Sequence, residues 1–508
     1  MKVTFMLLVL FVSFITKAQV KTDITPETDN YIHGYVLDNM SKSALPYANI
    51  YIINSSVGTI SNETGYYAID ITNFDDDDSI RFQYIGYKTI VLGINELKSS
   101  PTVYLNEDIT NLRETLIFGD APDAEYIVKQ IIRNKDSNYR NTCSKKTSFI
   151  RERYTNDIDE LKFDIKKNSI EELNEDMAVI AENSIPRHST SYTDFLGYFY
   201  MSDKQDDSVK FKTEPIRVVS LKEKNIAALD DMEKIFNDLF IGSGEKEYWK
   251  VRTGILSQTL DIDDESDTTA SDSVPDNQRK MSYYNRNISN KLKYSLMDNK
   301  DDWEFLYKTS RYKYTIMGGT SVNGVDVYII DFAPGNSGLY QGRIYVSTSS
   351  FALVRADYGY APNKNGKDFN MFGVGYSENR FYRSIYFENT VDGYALRYLS
   401  KRDGASVSFR RKVSLLKKRK RFLFDKTLKE IKVGLNISLE SESSFEILIM
   451  EDKAITHEQF ANIKQAENMD VIFVDQFDDS LWKGYSIIEP TEQMRMYKKH
   501  DVANDGEE

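Results

Sequence analysis

The chain has 508 residues and a formal net charge of −13, with 41% hydrophobic and 28% charged residues. At roughly 150 residues per domain this length predicts about three domains with substantial cores. The negative charge argues against a nucleic-acid-binding protein, because phosphates require a basic surface. The 34 Tyr and 27 Phe, against 3 Trp, favour a chain rich in β-strands.

Residues 1–18 have the pattern of a secretory signal peptide. Lys2 precedes an apolar run from Val3 to Ile15, and the small residue Ala18 stands where a signal peptidase cleaves. The run is shorter than the ~20 residues that span a bilayer. We therefore expect cleavage near Ala18 and export to the periplasm, the outer membrane or the cell surface. The polar residues that follow, 19–30, are predicted to be disordered.

Residues 31–108 consist of short strand-like runs separated by turns, such as "IHGYVLD", "ANIYIIN", "YYAIDI" and "PTVYLNE". Strands of this length and spacing predict an antiparallel β-sandwich. Gly65 ends a tight turn, where a positive φ is cheap only for glycine. Gly86 interrupts a strand, which indicates a bend or a close backbone approach.

This segment resembles the carboxypeptidase-regulatory-like domain, a transthyretin-like sandwich of seven antiparallel strands. The residues that carry the resemblance are Gly34, Pro46, Ala48, Gly58, Thr59, Gly65, Tyr66, Gly86 and Tyr87. The resemblance implies that these are structural positions, namely turn glycines and core aromatics, in a module that is not itself catalytic. It also implies an envelope protein of Gram-negative bacteria, because such modules are common at the N-termini of these proteins.

The following segments alternate between helical and irregular patterns. Residues 120–140 have apolar side chains at helical spacing and are predicted to form a helical connector. Residues 141–260 are predicted to be a mixed α+β region, with an amphipathic helix from Asn225 to Phe240. Residues 261–282 are acidic and polar, which is typical of a linker or long loop.

Residues 283–450 are predicted to be an antiparallel meander, because short strands follow one another through tight turns from Trp303 onward. The dipeptide Asn323-Gly324 is a hairpin signal. The stretch "VNGVDVYIIDFAP…YQGRIYVSTSSFALVRADY" is similar to the curved half-barrel sheet of periplasmic lipoprotein-carrier-like domains, whose sheet cradles an apolar guest or packs on a helix. Residues 451–508 are predicted to contain a helix with a Thr456–Gln459 capping box, a strand and an acidic tail.

The predicted fold class is therefore mainly β with α+β parts. It consists of an N-terminal seven-stranded antiparallel β-sandwich, a short helical connector, and a larger α+β region with a curved, half-barrel-like antiparallel sheet.

Searching for catalytic patterns finds none. The four histidines, His33, His188, His457 and His500, all lack the Glu three residues on that a zinc carboxypeptidase requires. No serine-hydrolase elbow and no phosphate-binding loop occur. Cys143 is the one cysteine, and no His is near it in the sequence, so it is interpreted as an incidental thiol at a strand start. We therefore predict no catalytic residue, no cofactor and no metal ligand.

One run of the sequence is strongly basic although the chain as a whole is acidic. It comprises Lys417, Lys418, Arg419, Lys420 and Arg421. It has two interpretations, contact with anionic lipid headgroups or a solvated hairpin tip between two strands. The leading hypothesis is an exported cell-envelope protein that acts in binding or assembly with a polymer, a lipid or a protein. The alternatives are a hydrolase of unrecognised type and an accessory component of an outer-membrane uptake system.

Overall fold

The computed structural model describes most of the chain between residues 30 and 497. Outside the described residues lie 1–29, 56, 109–122, 141, 171–173, 205–208, 222–246, 255, 261–276, 323, 336, 422–423, 483–484, 486 and 498–508, together with the side chains of 256–260. The predicted signal peptide, the predicted amphipathic helix from Asn225 to Phe240, most of the predicted acidic linker and the acidic tail therefore fall outside them. The described part of the chain is mainly β, as predicted.

The N-terminal module contains seven strands in two sheets and one short helix. The bounds are β1 Tyr31–Asp38, β2 Asn49–Ile52, β3 Gly58–Ile60, β4 Tyr66–Asp70, β5 Ser79–Gln83, β6 Ile90–Gly93, α1 Ile94–Ser99 and β7 Val103–Leu105. One sheet has the order β4-β1-β7 and the other β3-β2-β5-β6. Both sheets contribute side chains to one buried apolar cluster, including Val36, Ile50 and Phe82.

One pairing in the module departs from the predicted antiparallel arrangement, because β1 and β7 run parallel. Val36 pairs with Val103 and Asp38 with Leu105. A hairpin would force neighbouring strands to be antiparallel. Here the chain passes through the second sheet between β1 and β7, so no turn imposes that direction.

Fourteen further strands form one large sheet. Their bounds are β8 Ser144–Asn168, β9 His188–Met201, β10 Phe211–Leu221, β11 Glu247–Thr253, β12 Leu256–Leu260, β14 Tyr312–Val322, β15 Val325–Pro334, β16 Tyr340–Ser347, β17 Leu353–Tyr360, β18 Asp368–Met371, β19 Val374–Thr390, β20 Gly393–Arg419, β21 Lys426–Ala454 and β23 Ile472–Val474. A separate two-stranded pair joins β13 Gln278–Lys280 to β22 Asn468–Asp470. Strands from the predicted mixed region and from the predicted meander share the large sheet, since β8 pairs with both β9 and β21.

The helices are short and lie between these strands. They are α2 Ala124–Arg133, α3 Lys135–Asn138, α4 Glu175–Ser184, α5 Met281–Leu292, α6 Glu304–Tyr307, α7 His457–Asn462 and α8 Glu492–Arg495, with 3₁₀ turns at Lys293–Leu296, Thr309–Arg311 and Asp479–Trp482. The predicted capping box of Thr456 and Gln459 is present at the start of α7. Among the described residues, no helix combines the length and the apolar character needed to cross a bilayer.

The meander begins later than predicted. The "WEFLYKT" run, read as a strand, contains α6, and α5 precedes it. A short apolar run does not distinguish a buried helix from a strand, and here Trp303 and Phe305 are fully buried. From β14 to β21, strands that pair with each other within this region are antiparallel. The predicted hairpin joins Val322 to Val325, and Gly324 there has φ +78°.

Different segments cover the two faces of the large sheet. Tyr284 of α5 stacks on Phe195, with ring centroids 5.2 Å apart. Trp482 of the C-terminal segment contacts Phe149, with centroids 5.4 Å apart. Phe195 pairs with Ile150, the chain neighbour of Phe149, and successive side chains of a strand point to opposite faces. The helix and the C-terminal segment therefore lie on opposite sides of the sheet.

Three strands extend well beyond this covered region. β8, β20 and β21 have 25, 27 and 29 residues, against ~3–10 in most strands. We call their outer parts, residues 153–168, 404–419 and 426–443, the distal ribbon. No residue of β21 from 432 to 443 is buried. The ribbon ends at the turn between Arg419 and Lys426.

Gly34 provides a test of module packing. A Cβ at this position would lie 1.9 Å from the Pro101 carbonyl oxygen, whereas a Cβ at Gly93 would meet nothing within 4 Å. We expect Gly34→Ala to destabilise the protein by about 2 kcal/mol or more through overpacking. Gly93→Ala should change the free energy of unfolding by less than ~0.5 kcal/mol. Urea denaturation followed by circular dichroism measures both values, and equal stabilities would contradict this role of Gly34.

Candidate functional site

The motif glycines of the N-terminal module occupy turns, strands and a close contact. Gly65 has φ +77° and Gly86 has φ +86°, so both use the left-handed region that favours glycine. Gly34 lies inside β1 rather than in a turn, and Gly58 begins β3. A Cβ on Gly86 would stand 3.3 Å from the Tyr345 hydroxyl of the large sheet. Gly86 therefore lies where the module meets the large sheet.

The other motif residues lie within the module. Ala48 is fully buried, Thr59 is in β3, and Pro46 is half-buried in the preceding loop. Tyr66 and Tyr87 are half-buried rather than part of the core. These positions shape the module, and no described contact among them resembles a catalytic arrangement.

The module docks on the large sheet through aromatic contacts. The ring of Tyr47 lies 4.1 Å from that of Tyr398 on β20, and its hydroxyl donates to the Ser400 hydroxyl at 3.4 Å. Arg355 of β17 donates to the Tyr84 hydroxyl at 2.8 Å and lies over the Tyr84 ring at 4.5 Å. Tyr47 belongs to the buried cluster of the large sheet, so the interface is part of the core.

Charged and polar contacts complete this interface. Glu63 forms ion pairs with Arg153 of β8 and Arg402 of β20, and its side chain is 15% exposed. Asn62 donates to the Pro490 carbonyl at 3.2 Å. We call the interface made by Tyr47, Asn62, Glu63 and Tyr84 the docking seam.

Sequence analysis did not identify the seam residues. Glu63 stands directly beside the motif residues of the Asn62–Gly65 turn, yet its partners Arg153 and Arg402 are 90 and 339 residues away. No local spacing could connect them. The only indication of an interface in the sequence is the polar turn Asn62–Gly65, and the resemblance assigns that turn a structural role within the module.

Buried charges lie beneath the seam. Arg151 donates to both carboxylate oxygens of Asp194 at 2.8 and 2.7 Å, and both residues are buried. Glu446 accepts a hydrogen bond from the Tyr398 hydroxyl at 3.0 Å. Burial and then the charge of Glu63 raise the pKa of Glu446. Buried charges of this kind lower stability when they lose their partners, and the partners here belong to the large sheet and the C-terminal segment.

Glu489 lies at the edge of the seam. Its carboxylate accepts from Arg495 at 2.9 Å, and the Arg495 guanidinium lies 5.7 Å from the ring centre of Tyr66 in the module. Burial is the main cause that raises the pKa of Glu489 to about 7, although Arg495 opposes the shift. Asp479 adds to the rise. This carboxyl therefore titrates in the neutral range.

The space between the meander and its helices is filled by aromatic side chains. Phe305 stacks on Phe332 at 4.1 Å and contacts Tyr358 at 4.7 Å. The cavity at the docking seam holds about 30 Å³, which is room for about one water. A larger depression of about 530 Å³ is open and lined by module residues only, among them Tyr31 and Pro101.

The basic run lies at the tip of the distal ribbon, where Lys417, Lys418 and Arg419 end β20 and Lys420 and Arg421 follow it. Lys417 and Arg419 both contact Glu247 of β11, at 3.2 and 2.5 Å. These hydrogen bonds lower the pKa of Glu247. Two of the five basic residues therefore share one carboxylate, which offsets one of their two charges, and sequence analysis did not foresee this contact.

The rest of the tip combines cations with an exposed aromatic ring. Among the described residues, Lys418, Lys420 and Arg421 have no direct ion pair, although Lys420 lies 5.9 Å from the ring centre of Tyr248. Phe424 in the turn is 85% exposed. Asp425 accepts from the Tyr248 hydroxyl at 2.5 Å. The tip thus places three cations that have no direct ion pair among the described residues beside an exposed apolar side chain, a combination suited to binding an anionic, partly apolar surface.

The interpretation of Cys143 as an incidental thiol rested on the absence of a nearby His in the sequence. In the structure, the Cys143 Sγ lies 3.6 Å from the His457 Nδ1 and 3.6 Å from the Asp203 Oδ1. The three residues are the one group of potential metal ligands found among the described residues. The fold therefore brings a His beside Cys143 that lies 314 residues away in the sequence.

Comparison with known proteins supports the resemblance seen in the N-terminal segment. Residues 32–117 match the family described as CarboxypepD_reg-like domain. The chain therefore carries a domain of this family at its N-terminus, as predicted. No curated protein matches the chain.

Several solved structures are similar to this chain at low sequence identity. One is a domain from Vibrio parahaemolyticus named for outer membrane lipoprotein sorting, with 10% identity, 66% of this chain and 97% of that chain covered, and a TM-score of 0.22. The Pseudomonas aeruginosa MucA/MucB complex has 7% identity, 69% and 99% coverage, and a TM-score of 0.17. A LolA superfamily protein from Nitrosomonas europaea has 8% identity, 67% and 98% coverage, and a TM-score of 0.15. Similarity this low does not establish a shared fold.

Glu63 tests the docking seam. We expect Glu63→Gln to destabilise the protein by about 1–2 kcal/mol, because Arg153 and Arg402 lose a charged partner in a mostly buried place. The control is Asp76→Asn, which breaks the exposed pair with Lys98 and should cost at most about 0.5 kcal/mol. Thermal and urea unfolding compare the two. An effect of Glu63→Gln no larger than that of the control would contradict a stabilising seam.

Glu489 tests the pH dependence of the fold. Its folded pKa of about 7 lies above the ordinary value of 4.5, so between these values the folded chain holds a proton that the unfolded chain releases. Stability should therefore fall as pH rises through this window, by up to about 3 kcal/mol. Glu489→Gln removes this loss, so the variant should gain stability relative to the wild type from pH 5 to pH 7.5. A constant difference between the two proteins would contradict the raised pKa.

Proposed function

We propose that this protein is an exported, non-catalytic cell-envelope protein that binds an anionic lipid surface through the tip of the distal ribbon. The signal-peptide pattern of residues 1–18 supports export. The CarboxypepD_reg-like domain supports an envelope location, because the resemblance implies one. The observation that carries the binding proposal is the exposed Phe424 side chain beside Lys418, Lys420 and Arg421 at the tip.

The filled interior favours binding on the outside of the molecule. A carrier of apolar guests needs a cavity of several hundred cubic ångströms. The aromatic packing of Trp303, Phe305 and Phe332 occupies the space beneath the meander, and the seam cavity holds about one water. The half-barrel resemblance implies a site for an apolar ligand inside the sheet. The aromatic packing instead supports a structural role for this region, in which it holds the distal ribbon in place.

The length of the ribbon suits an acidic protein that must approach an acidic surface. The chain carries a net charge of −13, so its body is repelled by anionic lipids. The stretch 404–419 spans up to about 50 Å, which is several times the Debye length of ~8 Å at physiological salt. The tip can therefore touch the surface while the body stays outside the range of repulsion.

Removing the free cations should weaken membrane binding. Each cation near an anionic surface contributes about 1 kcal/mol, so Lys418→Gln/Lys420→Gln/Arg421→Gln should bind vesicles of phosphatidylcholine with phosphatidylglycerol about 100-fold less tightly. Phe424→Ser should lower the affinity about tenfold, since the ring loses its interfacial contact. Vesicle sedimentation of the purified protein measures both, and binding of the wild type should weaken as salt rises.

Matched controls test whether the loss of binding is specific to the tip or follows from removing any exposed cations or any exposed apolar side chain. Lys88→Gln/Lys313→Gln/Lys367→Gln removes three exposed cations elsewhere on the molecule. Val391→Ser removes a fully exposed apolar side chain from the β19–β20 turn, at the opposite end of β20. Both controls should bind like the wild type. Equal binding to neutral and anionic vesicles, or binding only to an anionic polymer or a protein, would overturn the proposal.

A further inference from the structure

Three strand ends bring Cys143, Asp203 and His457 together at the end of the large sheet opposite the ribbon tip. Ser144 at the start of β8 pairs with Met201 at the end of β9 and with Ala454 at the end of β21. Cys143 directly precedes β8, while Asp203 follows β9 and His457 follows β21. The strand order alone therefore brings the three side chains together at this end of the sheet.

The donor atoms of the three side chains have the spacing of a tetrahedral metal face. The Cys143 Sγ is 3.6 Å from the Asp203 Oδ1 and 3.6 Å from the His457 Nδ1. The latter two atoms are 3.4 Å apart. Zinc bound at about 2.3 Å to sulfur and about 2.0 Å to nitrogen and oxygen would hold tetrahedral donors about 3.3–3.6 Å apart. A zinc ion therefore fits without rearrangement of these atoms.

Local structure holds two of these ligands in place. The Ile455 amide donates to the Cys143 carbonyl at 2.9 Å, which ties the start of β8 to the segment that leads to His457. Thr456 caps α7 with a full capping box, so the backbone of its first residue is fixed. Phe460 of the same helix packs with Cys143 and Tyr200 in a small apolar cluster.

The chemistry of the donors selects the metal. A thiolate and an imidazole favour Zn²⁺ or copper, and the added carboxylate disfavours the soft ion Cu(I). Cys143 is 3% exposed, whereas the His457 side chain is 67% exposed, so the site has an apolar inner side and an open outer side. We infer that Cys143, Asp203 and His457 form a Zn²⁺ site with three protein ligands and one position open to solvent. This site does not depend on the proposed lipid contact.

Zinc itself is the probe for this site. Isothermal titration of the purified, reduced protein with Zn²⁺ should give a stoichiometry of about one per chain. Co²⁺ substitution should produce a thiolate-to-cobalt charge-transfer band together with the strong visible bands of four-coordinate cobalt. Bound Zn²⁺ should also slow alkylation of Cys143. Cys143→Ser and His457→Asn should each weaken zinc binding by about 100-fold or more, since even outer-shell changes cost 10–100-fold.

The chain offers a matched control in His188, whose Nδ1 contacts Asp157 at 2.5 Å without a thiol nearby. His188→Asn should bind Zn²⁺ like the wild type. Thermal unfolding of each metal-free variant confirms that it is folded, and Asp203→Asn provides a third ligand variant with little change of shape. Zinc affinity unchanged in Cys143→Ser and His457→Asn, or cobalt bound without a thiolate band, would overturn the inference.

Discussion

The antiparallel ladder of β20, β21 and β8 is the constraint on which the rest of the structure depends. Its register runs from Tyr398, paired with Leu448, to Arg419, paired with Lys426. One end of the ladder carries the basic tip. At the other end, the start of β8 lies between the ends of β9 and β21, which places Cys143, Asp203 and His457 close together. A slip of one residue would move every side chain to the opposite face. The ladder therefore sets the seam, the tip and the metal-ligand cluster at once.

The docking seam makes the N-terminal module part of the packed core of the large sheet. It covers a face of the sheet that carries Arg151, Asp194 and Glu446, all of which are buried. Such groups lower stability when they lose their partners. Glu63 supplies charge from the module side, while the C-terminal segment supplies the Ile488 carbonyl to Arg151 at 2.7 Å. The N-terminal module and the C-terminal segment thus cover the same group of buried charged residues, Arg151, Asp194 and Glu446.

Local chemistry made several features predictable, and long-range pairing made others unpredictable. The positive φ of Gly65 and the Thr456 capping box follow from residue types within four positions of each other. The helix at Glu304–Tyr307 was read as a strand, because a short apolar run has no distinct period. The parallel β1–β7 pair depends on how the chain passes between the two sheets of the module, and the approach of His457 to Cys143 depends on the strand order of the large sheet. No spacing in the sequence contains that information.

The candidate site shows the same division. The sequence revealed the basic run and the prospect of a hairpin tip, since the charges stand together between two strand patterns. It could not reveal that Glu247 forms ion pairs with Lys417 and Arg419, because β11 reaches β20 from a distant part of the chain. The contrast between paired and free cations is therefore a property of the fold.

The central claim is that this protein binds through the outside of a long ribbon rather than through an interior cavity. Hydrogen–deuterium exchange of the whole protein, with and without anionic vesicles, tests it most directly. The account predicts slower exchange on binding at the turn between Arg419 and Lys426, with unchanged exchange in β14 to β17. Protection confined to β14 to β17, or to the docking seam, would contradict it.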